Sequence, residues 1–263
     1  MEFYQVAILL IIINSKIYYA QNLKINYCAK LVKYDNMELW CELYNKTMIC
    51  VPIIEKNYDS ILEAARNSIK AGADIIELRI DAMDHPNPDE VSNIIKDVKY
   101  PLIATNRMMG EGGLFKGSEA ERTDILLAAA KHADFVDIEL QTEEEYLNKI
   151  IKASKSTIIS YHNFEKTPSA EILLKVVNQE RKLGDIAKFA VMPKSISDTL
   201  IVLDVLSKVE KTIGISMGEI GRYTRVVAPL FGSPITFASF DNISAPGQLD
   251  IHTTRDFLDK IVR

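Results

Sequence analysis

From Met48 onward, short apolar runs rich in β-branched residues alternate with longer stretches in which apolar side chains recur every three or four positions. The first pattern suits a buried strand and the second an amphipathic helix packed over it, so their order predicts repeated βα units and a parallel sheet. Strands are expected at 49–54, 74–80, 101–106, 135–140, 156–161, 186–192, 212–217 and 235–240. Between them, SILEAARNSIKAG (60–72) places Ile61, Ala64, Ala65 and Ile69 on one face and stops at Gly72; SAEILLKVVNQERKLG (169–184) likewise ends in glycine. Each gap has room for one crossover helix, and eight such units close naturally into a (β/α)8 TIM barrel. An open doubly wound sheet is the runner-up. It is disfavoured because no G-x-G-x-x-G follows the first strand and no Walker A motif occurs.

In such a barrel the chemistry sits at the carboxyl ends of the strands, so polar residues there carry more weight than the same residues in mid-helix. Glu77, Arg79 and Asp81 in ELRID share one face of the second strand by alternation, Arg107 ends the third, His162 closes the fifth and Lys188 lies inside the sixth. Lys188 stands out because IAKFAVMP is otherwise apolar and cannot bury an ammonium without cost. The bland alternative is an edge-strand lysine with its head in water. The chemical reading is an amine whose pKa is lowered by burial and neighbouring cations, able to attack a ketone and form an imine. His162, at the same mouth, suits the proton transfers that imine formation and hydrolysis require. Glu77 and Arg79 could be an interior ion pair, but with Arg107 the interior holds an excess of positive charge that favours an anionic or polyhydroxylated ligand. SMGEIGRYTR (216–225) adds Arg222 and Arg225, and SAPGQLD (244–250) adds Ser244 and Gln248 around a Pro246–Gly247 turn. His85, His132 and His252 are assigned no chemistry.

Composition narrows the partner. A chain of 263 residues with 48% hydrophobic and 25% charged residues can build one large core, and a net charge of -5 argues against nucleic acid or a membrane surface. A small molecule is expected. Cys28, Cys41 and Cys50 have neither metal-site nor disulfide-framework spacing, which favours a reducing, cytoplasmic setting; Cys50 reads as a small buried hydrophobe. The run Val6–Ile13 is apolar for eight residues, but no basic residue precedes it, no A-x-A site follows, and about 20 residues are needed to cross a bilayer. Residues 1–46 are therefore read as an extension of unknown role, outside the native protein if Met48 is close to the true start, and 47–263 as the barrel domain.

ELRID, TNRMMGEGG, SYHNFEKTP, AKFAVMP, SMGEIGRYTR, FGSPITFAS and SAPGQ, in this order, resemble the type I 3-dehydroquinate dehydratases over roughly residues 48–263. The resemblance implies a hydro-lyase of the shikimate pathway, serving aromatic amino acid biosynthesis, with no metal or organic cofactor. It makes Lys188 the Schiff-base residue, His162 the proton donor and acceptor, Glu77 a further catalytic residue, and Arg225 the carboxylate clamp, with Arg222 the alternative. Glu77, Arg79, Arg107, Ser244 and Gln248 would hold the ring, Met217 would pack by the lysine, and Glu111 would sit on a loop that closes over the site. Family likeness also implies a homodimer. Pro52 stands where many members carry serine, so one polar contact with substrate is expected to be missing. Two other readings fit the fold: a class I aldolase, which uses the same imine chemistry, and a barrel that binds a quinate-like ligand as a sensor. Aldolases of sugar phosphates need a phosphate clamp not evident here, and the presence of both Lys188 and His162 argues against a sensor.

Overall fold

The computed structural model describes residues 46–240, 245 and 247–261. Eight parallel strands follow one another in space: β1 (Met48–Ile53), β2 (Ile75–Arg79), β3 (Leu102–Thr105), β4 (Phe135–Glu139), β5 (Thr157–Asn163), β6 (Ile186–Val191), β7 (Thr212–Ser216) and β8 (Ile235–Phe237). Ladders join them in the order β7-β6-β5-β4-β3-β2-β1-β8. The result is a nearly closed TIM barrel, and the open-sheet alternative falls. Among the described residues no ladder joins β7 to β8, because β8 is only three residues long and not the six expected. β5 runs the other way, past its expected end to Asn163, so His162 lies within a strand rather than after one. The run Val6–Ile13, Cys28, Cys41 and the rest of residues 1–45 lie outside the described residues, as do Ser244 and Pro246. No helix among the described residues is long and apolar enough to cross a membrane.

The crossover helices start where short polar side chains cap them. Asn57 accepts from the Ser60 amide to open α1 (Tyr58–Lys70), Asn87 does so before the Pro88 that begins α2 (Pro88–Val98), and Ser118 opens α3 (Glu119–Ala130). Next come α4 (Glu144–Ala153), α5 (Ala170–Leu183) and α6 (Ile196–Leu206), then the short turns α7 (Gly218–Gly221) and α8 (Thr224–Val227) and the terminal α9 (Ile251–Ile261). The expected stop after α1 is real: Gly72 has φ +101 and its N–H returns to Ile69, a conformation that a side chain would strain.

Alternation along the strands builds the barrel interior in layers. Met48, Ile75, Ile103, Phe135, Ile158, Ile186, Ile213 and Ile235 are all buried and form an apolar floor. Two residues on, each strand contributes to a second layer: Cys50, Glu77, Thr105, Asp137, Ser160, Lys188, Ile215 and Phe237. Another two residues bring Pro52, Arg79, Arg107, Glu139, His162, Ala190 and Met217. The intervening residues, such as Val136, Ile159, Ala187 and Phe189, pack outward against the helices. One period-2 pattern thus separates a dry base from a polar mouth.

Candidate active site

A cavity of about 270 Å³ opens above the second layer, lined among others by Pro52, Glu77, Arg79, Arg107, Glu111, His162, Lys188, Met217, Arg225 and Gln248. All of the expected site residues except Ser244, which is not described, therefore meet in one place. Asp81 stands behind Arg79, and Arg222 points away and pairs with Glu219 near the surface. Of the two arginines considered for a carboxylate, Arg225 is the one in the cavity, where burial lowers its guanidinium to about 10. It stays protonated at neutral pH. Pro52 faces the cavity without a side-chain polar group, as expected.

Lys188 sits deep in this cavity. Its Nζ donates to Asp137 Oδ2 at 2.7 Å, stands 3.9 Å from Glu77 Oε1 and lies 4.5 Å from the centre of the Phe237 ring. The bland edge-strand reading fails, since β6 lies between β5 and β7 and the side chain is buried. The expectation that neighbouring cations activate it needs correction: its closest charged partners are carboxylates, because β4 supplies Asp137 to the same layer. Cys50 shares that layer, and burial, reinforced by Glu77, holds its thiol well above the usual range. It remains a neutral hydrophobe, as its apolar strand suggested.

Arg107 is bound on every side. Its Nη1 donates to Glu139 Oε1 at 2.9 Å and Ser160 Oγ at 2.7 Å, and its Nη2 to Asp137 Oδ1 at 2.7 Å. Burial works against its charge, but Asp137 and Glu139 more than offset that and hold the guanidinium protonated. Behind it, Arg122 reaches in from α3, donates to Glu139 Oε2 at 2.7 Å and to the Asn106 carbonyl at 2.8 Å, and pairs with Glu119. Arg79 forks onto Asp81, whose oxygens also accept the Arg107 and Leu114 N–H groups. The positive excess inferred from Arg79 and Arg107 therefore shrinks, since both meet carboxylates.

His162 carries a second pair. Glu111, in the loop after β3, accepts from the His162 backbone N–H at 2.9 Å, and the same oxygen lies 2.8 Å from Nδ1. An oxygen already accepting one N–H accepts the Nδ1–H naturally, which leaves Nε2 as the basic nitrogen. Burial, then Arg107 and Lys188, hold the imidazole well below its usual range, so it is neutral and able to take a proton at pH 7. Burial also pushes the Glu111 carboxyl up to about 8, against the pull of Arg107. Glu111 was expected on a closing loop; here it is buried and fixed to the imidazole.

Sequence reasoning missed Asp137, Glu139, Ser160, Arg122 and Phe237. The first two were legible. FVDIEL places Asp137 and Glu139 on one strand face in the same way that ELRID places Glu77 and Arg79, and the same alternation extends from Ser160 to His162.

A parallel eight-stranded barrel, with an amine at the bottom of a polar cavity and an imidazole–carboxyl pair at its mouth, defines an enzyme of the (β/α)8 class acting on a small polar molecule. The chain belongs to the type I 3-dehydroquinase family, whose profile matches residues 49–262. It is 50% identical over 216 residues to the 3-dehydroquinate dehydratase of Methanothermobacter thermautotrophicus, covering 82% of this chain and 98% of that one. The enzyme of Methanobrevibacter smithii is 48% identical over 217 residues, covering 82% and 97%. Among solved structures, the 3-dehydroquinate dehydratase of Geobacillus kaustophilus superposes with a TM-score of 0.76 at 29% identity, over 83% of this chain and 93% of the other. The type I enzyme of Clostridium difficile, solved with covalently modified comenic acid, gives 0.77 at 30% identity, over 82% and 92%.

Proposed function

We propose that this chain dehydrates 3-dehydroquinate to 3-dehydroshikimate, a step of the shikimate pathway, through an imine on Lys188. The observation that carries the reading is the burial of Lys188 at the base of the cavity, with the neutral His162 imidazole lining the same cavity. Lys188 passes a proton to His162 and its free amine adds to the C3 ketone; His162 returns that proton to the carbinolamine hydroxyl, which leaves as water to give an iminium. His162 Nε2 removes the C2 proton; the C–H electrons are drawn into the iminium, giving an enamine. The enamine expels the C1 hydroxyl, which takes a proton from His162 and leaves as water. Hydrolysis of the conjugated iminium then frees the lysine and the enone product.

Arg225 clamps the substrate carboxylate through its planar fork, while Glu77, Arg79, Arg107 and Gln248 hold the ring hydroxyls and carbonyl region; Ser244 completes the set from the loop after β8. Met217 lines the same cavity, and its apolar side chain serves to exclude water from the imine. The chain works as a homodimer in the cytoplasm, a reading supported by family likeness and checked by light scattering of the purified protein. The decisive experiment is reduction with borohydride in the presence of 3-dehydroquinate, followed by peptide mapping. An adduct on Lys188 is expected, and a protein left unmodified there sinks the proposal.

A further inference from the structure

The Lys188 nitrogen is held by an anion that the scheme above does not use. Asp137, 1% exposed, offers Oδ2 to Lys188 Nζ at 2.7 Å, while Oδ1 accepts from Arg107 Nη2 and from Ser160 Oγ, each at 2.7 Å. Both oxygens are therefore committed. Glu77, the other acid near the nitrogen, is 3.9 Å off and accepts instead from Thr105 at 2.8 Å.

We infer that Asp137 is the counter-ion of the imine nitrogen, a positioning residue that keeps the Lys188 imine in its protonated, electron-withdrawing form during turnover. The inference rests on the imine reading given above. An imine that has lost its proton is a weak electron sink, whereas an iminium draws the C2–H electrons inward. A carboxylate fixed beside the nitrogen favours the charged form. Asp137 is suited to that task and unsuited to taking the proton itself. Burial pushes its carboxyl up, but Arg107 and then Lys188 pull it well below the usual range. The proton that the ammonium sheds before attack goes to His162.

The other groups around the nitrogen do not duplicate this. Glu77 faces it from β2 at longer range, Cys50 on β1 is neutral, and Arg107 and His162 bring positive or no charge. Behind β6, Glu180 on α5 is held neutral by burial.

The test is the pH dependence of kcat for the wild type, Asp137→Asn and Ser160→Ala. Asp137→Asn keeps the shape and removes the charge; its alkaline limb is expected to move down by about one pH unit or more, with activity recovering toward acid pH. Ser160→Ala removes one hydrogen bond but leaves the charge, and should keep the wild-type limb. An unmoved limb in Asp137→Asn, or an equal shift in Ser160→Ala, overturns the inference. Should Asp137→Asn fail to fold, the crystal structure of the borohydride-reduced wild-type adduct decides. The adduct nitrogen is expected about 3 Å from Asp137 Oδ2, and a nitrogen turned instead toward Glu77 or His162 overturns it. If wild-type Lys188 takes no adduct at all, it is the underlying imine reading that fails.

Discussion

Asp137 and Glu180 are both buried carboxyls, 1% and 0% exposed, but they lie on opposite sides of the barrel wall and meet opposite fates. Asp137 points inward, where Arg107, Ser160 and Lys188 satisfy it, and it is a firm anion. Glu180 lies on the face of α5 that carries Leu173 and Val177, packed toward the outside of the barrel, where, among the described residues, the Lys188 backbone N–H offers it only a weak contact short of a full hydrogen bond. Burial, with repulsion from Asp137 and Glu111, pushes it up to about 9; the backbone N–H and charge of Lys188 pull it only partway back. Depth alone therefore does not decide whether a carboxyl is charged. What decides is whether the fold brings donors to it, and the barrel interior does so because several strands contribute to one layer.

The contrast can be broken most strongly on the paired side. Arg122→Ala leaves Glu139 short of a cation and empties the space between α3 and the barrel, and should lower unfolding free energy by about 3–5 kcal/mol. Urea denaturation measures it, and a variant as stable as the wild type would show that the network adds nothing to the fold. Glu180→Leu should act in the opposite sense, stabilising by about 1–3 kcal/mol, since it removes a buried carboxyl that lacks a full hydrogen bond.

That effect has a definite pH signature. Because the folded carboxyl is raised from its ordinary 4.5 to about 9, Glu180 holds its proton more tightly in the folded chain. Its favourable contribution is complete below pH 4.5 and lost as pH rises through about 9. The advantage of Glu180→Leu over the wild type should accordingly grow between pH 5 and pH 9, and a constant advantage would mean that Glu180 does not titrate in this window. The smallest effect belongs to the surface: Lys175→Ala breaks an exposed pair with Glu171 on the solvent side of the same helix and should leave the denaturation midpoint unmoved within error.

The barrel was legible because buried parallel strands and amphipathic helices differ in period, and Lys188 because a charge in an apolar strand is conspicuous. His162, Glu77 and Arg107 followed from their places at strand ends. Arg122 was not legible: in SEAERTDILL it reads as part of the charged start of a helix, and only the packing of α3 against the barrel brings it to Glu139. The bond between Glu111 and His162 joins residues 51 apart through a loop that turns on Gly112, at φ +79, and local sequence does not specify that closure. The end of β8 was overestimated because SPITFASF stays apolar after the chain has left the sheet.

The layered interior also sets which changes of length this chain can accept. Dropping one residue from β4 would carry Asp137 and Glu139 to the helix side and swing Val136 and Ile138 into the cavity, undoing the counter-ion and the arginine clamp in one event. The loops beyond the strand ends carry no such parity. Insertions should therefore be absorbed at the rim and rejected in the staves, so that substrate preference can drift by loop exchange while the spacing of the ionic layer stays locked.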